Sequence, residues 1–181
     1  MKLKEIIDSL PEKYDATAEQ AIVKKINEID VPGFTKDLAD LLAFAISDHY
    51  NALARVILEK NYQGKKIDLQ NINQAIINQS EEKYSLLHFT TQFGNKEMII
   101  YFLRHQVEIT RDKDQLTPLH TLTFARNLTK KDIAEIIHEF ERVLPNIINQ
   151  RDIFHLTPLH YAAYNDNMPA LEALVESGAK R

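Results

Sequence analysis

Cysteine and tryptophan are both absent from this 181-residue sequence. Without thiols there are no disulfide staples, no Cys-ligated zinc and no Cys nucleophile, so stability rests on packing. Glycine (4 residues) and proline (6 residues) are scarce, too few for an all-β chain of many tight turns. Leu, Ile, Lys, Glu and Ala supply helix formers instead, and the composition points to a mostly α chain. No run approaches the ~18 uninterrupted apolar residues of a membrane helix. Met1–Leu10 interleaves Lys2, Lys4, Glu5 and Asp8 with its apolar residues, unlike the continuous apolar core of a secretory leader. A cytoplasmic chain at synthesis, with no membrane partner, is expected. A surplus of positive charge is lacking too: the formal net charge is −4. Nucleic-acid binding draws on such a surplus, so nucleic acid is not the expected partner.

What is present is ordinary for a globular protein, 44% hydrophobic and 27% charged, in a length that fits one domain or one short solenoid. Its strongest feature is internal repetition. Leu116-Thr117-Pro118-Leu119-His120 returns unchanged 40 positions later as Leu156-Thr157-Pro158-Leu159-His160. A weaker copy, Tyr84-Ser85-Leu86-Leu87-His88, lies 32 residues before the first of these. Three phased copies of a short signature mark a repeat architecture.

The signature resembles the ankyrin repeat, whose unit of about 33 residues opens its first helix with Thr-Pro-Leu-His-x-Ala. The last copy carries it most fully, with Thr-Pro-Leu-His at 157–160, Ala162-Ala163, then Leu171, Leu174 and Val175, and Gly178-Ala179 at the close. It departs at His155 and Asp166, which stand where the family has turn glycines in left-handed backbone. The copy at His88 continues through Phe89-Thr90-Thr91, turns at Gly94-Asn95 and runs on through Met98, Ile99, Tyr101, Phe102 and Leu103, with Gln106 in place of the terminal glycine. The middle copy is seven residues longer than the family unit. The excess is expected around Thr129–Asp132 and in a second helix extended to Pro145, with Ile133, Ile136, Ile137 and Phe140 on one buried face.

The resemblance implies an all-α ankyrin-repeat helical solenoid of helix-turn-helix units with short hairpin loops. The expected layout is an N-terminal helical cap at 1–33 and a degenerate ankyrin-like unit at 34–64, phased on Leu42-Ala43-Phe44-Ala45-Ile46. An insertion of loop or short helix follows at 65–79. Repeats then occupy 80–111, 112–151 (with the insertion) and 152–181. In the cap, Thr17 to Gln20 reads as a capping box, and Ile22, Val23, Ile26 and Ile29 form one helical stripe. Pro32-Gly33 marks its boundary.

Seven histidines raise the question of chemistry. In the family resembled, the imidazole at the phase of His88, His120 and His160 bonds backbone and packs between units, which makes these three structural. His155 and His160 lack the i, i+4 spacing of a helical zinc pair. Asp112-Lys113-Asp114 imitates the start of a calcium loop, but Thr123 stands where the closing glutamate belongs, so it reads as a hairpin tip. Thr117 and Thr157, each followed by proline, read as helix N-caps. No catalytic residue, cofactor or metal is expected. The competing reading is a hydrolase or transferase using His49, His105 or His138 with a nearby carboxylate.

The remaining expectation is a non-catalytic interaction module, a monomer binding a protein partner. The family uses its concave face, built from hairpin tips and the exposed sides of first helices. Mapped onto this chain, those phases give Tyr84, Gln92 and Phe93 from one unit, Lys113, Asp114 and Phe124 from the next, and Ile153, Phe154, Tyr164 and Asn165 from the last. Clustered exposed aromatic residues at such positions suit an interaction hot spot. A narrower expectation, from a composition similar to that of ankyrin-bearing effector proteins of intracellular bacteria, is delivery into a host cell.

Overall fold

The computed structural model describes Ile6, Ser9 and residues 15–28, 36–62, 65, 66 and 68–180. Ile29 and Pro32-Gly33, singled out in the sequence, lie outside them. The described residues are helical apart from one two-residue antiparallel pairing of β1 (Asn61–Tyr62) with β2 (Lys65–Lys66), which settles the class as all-α. The chain divides into two compact units, Met1–Ile72 and Asn73–Arg181.

In the first unit, α1 (Ala16–Glu28), α2 (Lys36–Ser47) and α3 (Asn51–Glu59) pack through α3. The N-cap of α1 is Asp15, not Thr17: its Oδ1 accepts the Thr17 N–H at 2.7 Å and the Ala18 N–H at 3.2 Å. A carboxylate one residue ahead of the helix meets the free N–H groups of the first turn and its dipole together. Ile22 and Ile26 of the stripe are buried, and Glu19, buried beside them, accepts the Leu53 N–H in the first turn of α3 at 3.0 Å. The Tyr50 hydroxyl returns the favour by accepting the Asp15 N–H, so each of these helix starts is capped by a side chain of the other.

Helix α4 (Leu69–Gln79) carries the boundary between the units. Beyond it, three helix pairs follow: α5 (Leu86–Gln92) with α6 (Lys96–Arg104), α7 (Pro118–Leu122) with α8 (Lys130–Val143), and α9 (Pro158–Tyr164) with α10 (Met168–Glu176). First helices pack on first helices and second on second, the arrangement by which pairs too small to bury their own apolar faces form one continuous core. Leu87, Ile99 and Phe102 from the first pair, Leu119, Ile133, Ile136, Ile137 and Phe140 from the second, and Ala162, Ala173 and Leu174 from the third are buried in it.

Each first helix starts in the same way. Ser85, Thr117 and Thr157 are N-caps in extended backbone, and the histidine three residues on turns back so that its Nδ1 accepts the cap N–H at 3.2, 3.0 and 3.2 Å. Pro118 and Pro158 occupy the first turn, where a missing N–H costs nothing and a fixed φ helps. Two residues before each cap the chain is left-handed, at Lys83, Gln115 and His155. Gln106 (φ 57°) and Asp166 (φ 52°) are left-handed as well, so all three residues that replace family glycines adopt the glycine conformation.

The seven-residue excess of the middle pair is split unevenly. Counted from first-helix cap to second-helix cap, Thr117 to Thr129 is two residues longer than Ser85 to Asn95, and α8 is five longer than α6 or α10. After α8, Leu144 and Pro145 end the helix and Asn146 turns left-handed at φ 67°. The Glu141 carboxylate accepts the Asn146 and Ile148 N–H groups, both at 2.9 Å, and caps the 3-10 turn Ile147–Asn149.

Candidate functional site

The tips that precede α7 and α9 are each organised from inside by an aspartate. Asp112 Oδ1 accepts the Asp114 and Leu116 N–H groups at 2.9 and 2.7 Å, and Asp152 Oδ1 accepts those of Phe154 and Leu156 at 2.9 and 2.8 Å. Asp112 is thus a buried turn residue, as its hairpin reading requires. Consecutive tips are joined by backbone: Lys113 N donates to the Glu82 carbonyl at 3.0 Å, and Ile153 N donates to that of Asp114 at 3.1 Å. Arg111 adds a side-chain tie to the Arg151 carbonyl at 2.9 Å.

Asp152 has a second function, because its Oδ2 accepts the Tyr161 hydroxyl at 2.7 Å. Burial works to raise this carboxyl, and the Tyr161 hydroxyl with the Leu156 and Phe154 N–H groups outweighs it and holds the group below the usual range. The tyrosine is correspondingly pushed well above its ordinary value, by burial first and then by the bond to Asp152. Asp112 has no such hydroxyl partner among the described residues, and burial holds it above the usual carboxylate value. Both are acceptors fixed in turns through Oδ1, and Asp152 is held through Oδ2 as well.

The repeated histidines hold the pairs together. His88 Nε2 donates to the Leu116 carbonyl at 2.9 Å and His120 Nε2 to the Leu156 carbonyl at 3.2 Å. The tautomer follows from the partners: a carbonyl only accepts, so Nε2 carries the proton, and Nδ1, receiving a backbone N–H, does not. Burial drives both imidazoles down to about 4, against the opposing pull of the carbonyl bonds. Of the alternative histidines, His105 donates from Nδ1 to the Tyr101 carbonyl at 2.8 Å and stacks on the Tyr101 ring. No carboxylate pairs with His105 or His138 among the described residues.

Around this rigid frame the surface residues singled out in the sequence take different positions. Gln92 on α5, Phe124 in the turn after α7 and Tyr164 on α9 share one phase, and all three are exposed, Phe124 at 40% and Tyr164 at 89%. Phe93, Ile153 and Phe154 are exposed as well. Phe124 makes an edge contact with Tyr161, centroids 6.1 Å apart. Phe93 leans on Phe89 at 4.8 Å, and no ring contact joins Phe124 to Tyr164 among the described residues. Lys113 forms a 2.6 Å ion pair with Glu82 at the tips. Tyr84 is half-buried and stacked on His88. Asp114 and Asn165 are half-buried too, and Asn165 Nδ2 donates to the Thr123 hydroxyl at 3.2 Å. Leu116, on the border of this surface, packs under its hairpin and is buried.

Sequence reading missed the ties at the inter-helix turns. Asn167 Nδ2 donates to the Thr123 and Ala125 carbonyls at 2.9 and 2.8 Å while its Oδ1 caps Ala170 N of α10. Arg126 donates to the Asp166 and Asn165 carbonyls. Second helices are clamped by lysines at their first position: Lys96 to Asp132 at 2.7 Å and Glu135 at 2.5 Å, Lys130 to Glu176 at 2.9 Å and Glu172 at 3.6 Å. The shared position of Lys96 and Lys130 just after the N-cap was the signal available.

No helix among the described residues is long and apolar enough to cross a membrane. Residues 154–181 match the family model of the ankyrin repeat. Over 122 residues, 66% of this chain, the sequence is 25% identical to the human "Transient receptor potential cation channel subfamily A member 1", of which it covers 10%. Over 156 residues, 86% of this chain, it is 26% identical to "Ankyrin repeat protein nuc-2" of Neurospora crassa, of which it covers 13%. The chain therefore spans about a tenth of the length of the curated relatives it matches. Residues 154–181 thus carry an ankyrin repeat, and the phased histidine caps and stacked helix pairs of the preceding residues follow the same pattern.

Proposed function

We propose that this chain is a non-catalytic adaptor that binds a protein partner through its hairpin tips and the exposed sides of its first helices. The observation that carries the reading is the contrast at the end of α7. His120 and Thr123 are buried, whereas Phe124, one residue further on, is 40% exposed with only an edge contact to Tyr161 of the following pair. Large apolar side chains held out by a rigid frame lose little freedom when a partner covers them, which is how a few aromatic residues come to dominate an interface. The same phase on α9 holds Tyr164, and the tip before α9 holds Ile153 and Phe154. Tip-to-tip backbone bonds already fix the array within Asn73–Arg181 for such binding.

The titratable groups near this surface support binding over catalysis. Asp112 and Asp152 each spend Oδ1 on two turn N–H groups, and His88 and His120 use both ring nitrogens. The test is a pull-down from source-cell extract with wild type beside a Phe124→Ala, Tyr164→Ala double variant. Recovery of a partner by the wild type and loss by the equally folded variant is expected; equal recovery by both rejects this surface.

A further inference from the structure

Asp112 and Asp152 stand at the same phase of successive tips and differ in what reaches the second carboxylate oxygen. Asp152 Oδ2 accepts the Tyr161 hydroxyl at 2.7 Å. Tyr161 directly follows His160, and the residue at that phase in the middle pair is Thr121. The Thr121 hydroxyl is turned away, to Thr91 Oγ1 of the preceding pair at 2.7 Å and to the Pro118 carbonyl at 3.0 Å. Asp112 Oδ2 therefore receives no bond among the described residues, although Asp112 is only 3% exposed and its Oδ1 is spent on the Asp114 and Leu116 N–H groups. Among the described residues the fully enclosed side-chain polar atom without a partner is Thr110 Oγ1, so the unpaired Asp112 Oδ2 keeps an opening to the surface. An oxygen so placed has given up most of its hydration and found no bond within the chain in return.

No cation of the chain fills this place. Lys113 turns to Glu82 at 2.6 Å. Arg111 spends its guanidinium on the Gln115 and Arg151 carbonyls and the Gln150 side chain, and Lys83 of the neighbouring tip bonds neither Asp112 nor Asp114. Asp114 is half-buried, and its carboxylate makes no bond among the described residues either. Asp114 and Glu82 add to burial in holding Asp112 above the usual carboxylate value, the mark of acidic surroundings. The tip also adjoins Phe124. The Phe124 ring meets Tyr161 edge-on at 6.1 Å, and the charges of Asp112 and Asp114 act on that same Tyr161.

We propose that Asp112 Oδ2 and the Asp114 carboxylate form a receptor for one lysine or arginine side chain of the protein partner. The proposal rests on the partner surface argued above and adds the chemistry of its occupant. The bond from Tyr161 to Asp152 shows what the position takes, a donor on the second oxygen. A cation is favoured over a hydroxyl at Asp112, because two unpaired carboxylates share this tip in a chain of net charge −4 and charge-assisted bonds are the stronger kind. An ammonium or a guanidinium carries enough donors to serve both carboxylates at once. The tip is already fixed on both sides by backbone, through Lys113 N to the Glu82 carbonyl and Ile153 N to the Asp114 carbonyl, so little freedom is lost when the cation enters.

A displayed library of random short peptides, selected on the full chain at low salt, supplies the probe. Selected peptides are expected to carry a lysine or arginine, and their binding to weaken as salt is raised. Asp112→Asn keeps a side-chain carbonyl for the two turn N–H groups and Asp114→Asn removes no bond, so both variants are expected to melt as wild type does. Each is expected to weaken a selected peptide at least about tenfold. Replacing the cationic residue of the peptide by norleucine is expected to weaken binding to wild type equally, and to Asp112→Asn hardly at all. Peptides that are lost on Phe124→Ala yet bind both aspartate variants as tightly as wild type overturn the receptor and leave the aromatic surface standing. Peptides that need both aspartates and their own cation but not Phe124 uphold the receptor and count against the aromatic surface. A library that yields no binder to wild type overturns the proposal.

Discussion

His88 Nε2 donates to the carbonyl of Leu116, 28 residues further along the chain, at 2.9 Å. That bond is repeated from His120 to Leu156; the Nδ1 atoms of the same two rings accept the Ser85 and Thr117 N–H groups, which requires neutral imidazoles, and burial holds both rings at about 4. In the unfolded chain histidine titrates near 6.5, so between roughly pH 6.5 and pH 4 the unfolded state binds more protons than the folded one. A folded value below the unfolded one means that stability is full above about pH 6.5 and falls as the pH drops toward 4. The loss approaches roughly 3 kcal/mol per histidine across that window. Urea unfolding at pH 7, 6, 5 and 4 checks it; a midpoint that holds constant over this range contradicts the linkage.

Replacing His88 by alanine leaves the buried Ser85 N–H without its acceptor and takes one of two donors from the Leu116 carbonyl, which keeps the Asp112 N–H. Leaving a buried polar group unpaired costs about 1–3 kcal/mol. His88→Ala is therefore expected to lower stability at pH 7 by about 3 kcal/mol and to flatten the pH dependence by one histidine's share. The corresponding change at exposed His160 is expected to cost less than about 1 kcal/mol, because its Nε2 bridges to no following pair. Chemical denaturation of the two variants side by side provides the comparison.

Asn167 joins three roles in one buried side chain: two bonds to the preceding turn and the cap of α10. Asn167→Ala should cost about 2–4 kcal/mol, a cap of about 1 plus two carbonyls left without donors. Hydrogen exchange at the α10 amides is expected to accelerate more than at those of α6.

Left-handed positions make opposite predictions according to what stands there. Gly94, at φ 62°, is the family glycine, and a Cβ on it would collide with the Asn127 side-chain oxygen and stand 3.0 Å from Ala125 Cβ. Gly94→Ala is expected to destabilise by about 1–2 kcal/mol. His155, exposed and also at φ 62°, is expected to gain up to about 1 kcal/mol on replacement by glycine. Melting temperatures moving in opposite directions check both.

Much of this was legible because ankyrin units write their local chemistry into short spacings. Thr-Pro-Leu-His fixes cap, first turn and return bond within four residues, so the starts of α7 and α9 could be read directly, as could left-handed backbone at His155 and Asp166. The division of the middle excess between turn and α8 could be placed only approximately, since the helix stripe at Ile133–Phe140 does not say where it stops. Glu141 decides that, by capping the turn beyond. At the N-terminus Asp15 was overlooked for Thr17 because Thr17 and Gln20 match a capping pattern and the deciding bond is two residues long. The ties between pairs were invisible for another reason: Lys96 to Asp132 and Arg126 to Asp166 join residues 36 and 40 apart, distances at which no local pattern operates. The partner surface was legible as a set of phases, but not as a set of contacts, and Phe124 turned out to rest against Tyr161 and not Tyr164.

The central claim is that a protein partner covers the tips and first helices. Hydrogen-exchange mass spectrometry on the partner complex, captured from source cells and compared with the free chain, tests it most directly. Slowed exchange in the segments 82–93, 113–124 and 153–165, with α6, α8 and α10 unchanged, is the expected result. Protection confined to the second helices, with the Phe124 and Tyr164 segments exchanging as in the free chain, would contradict it.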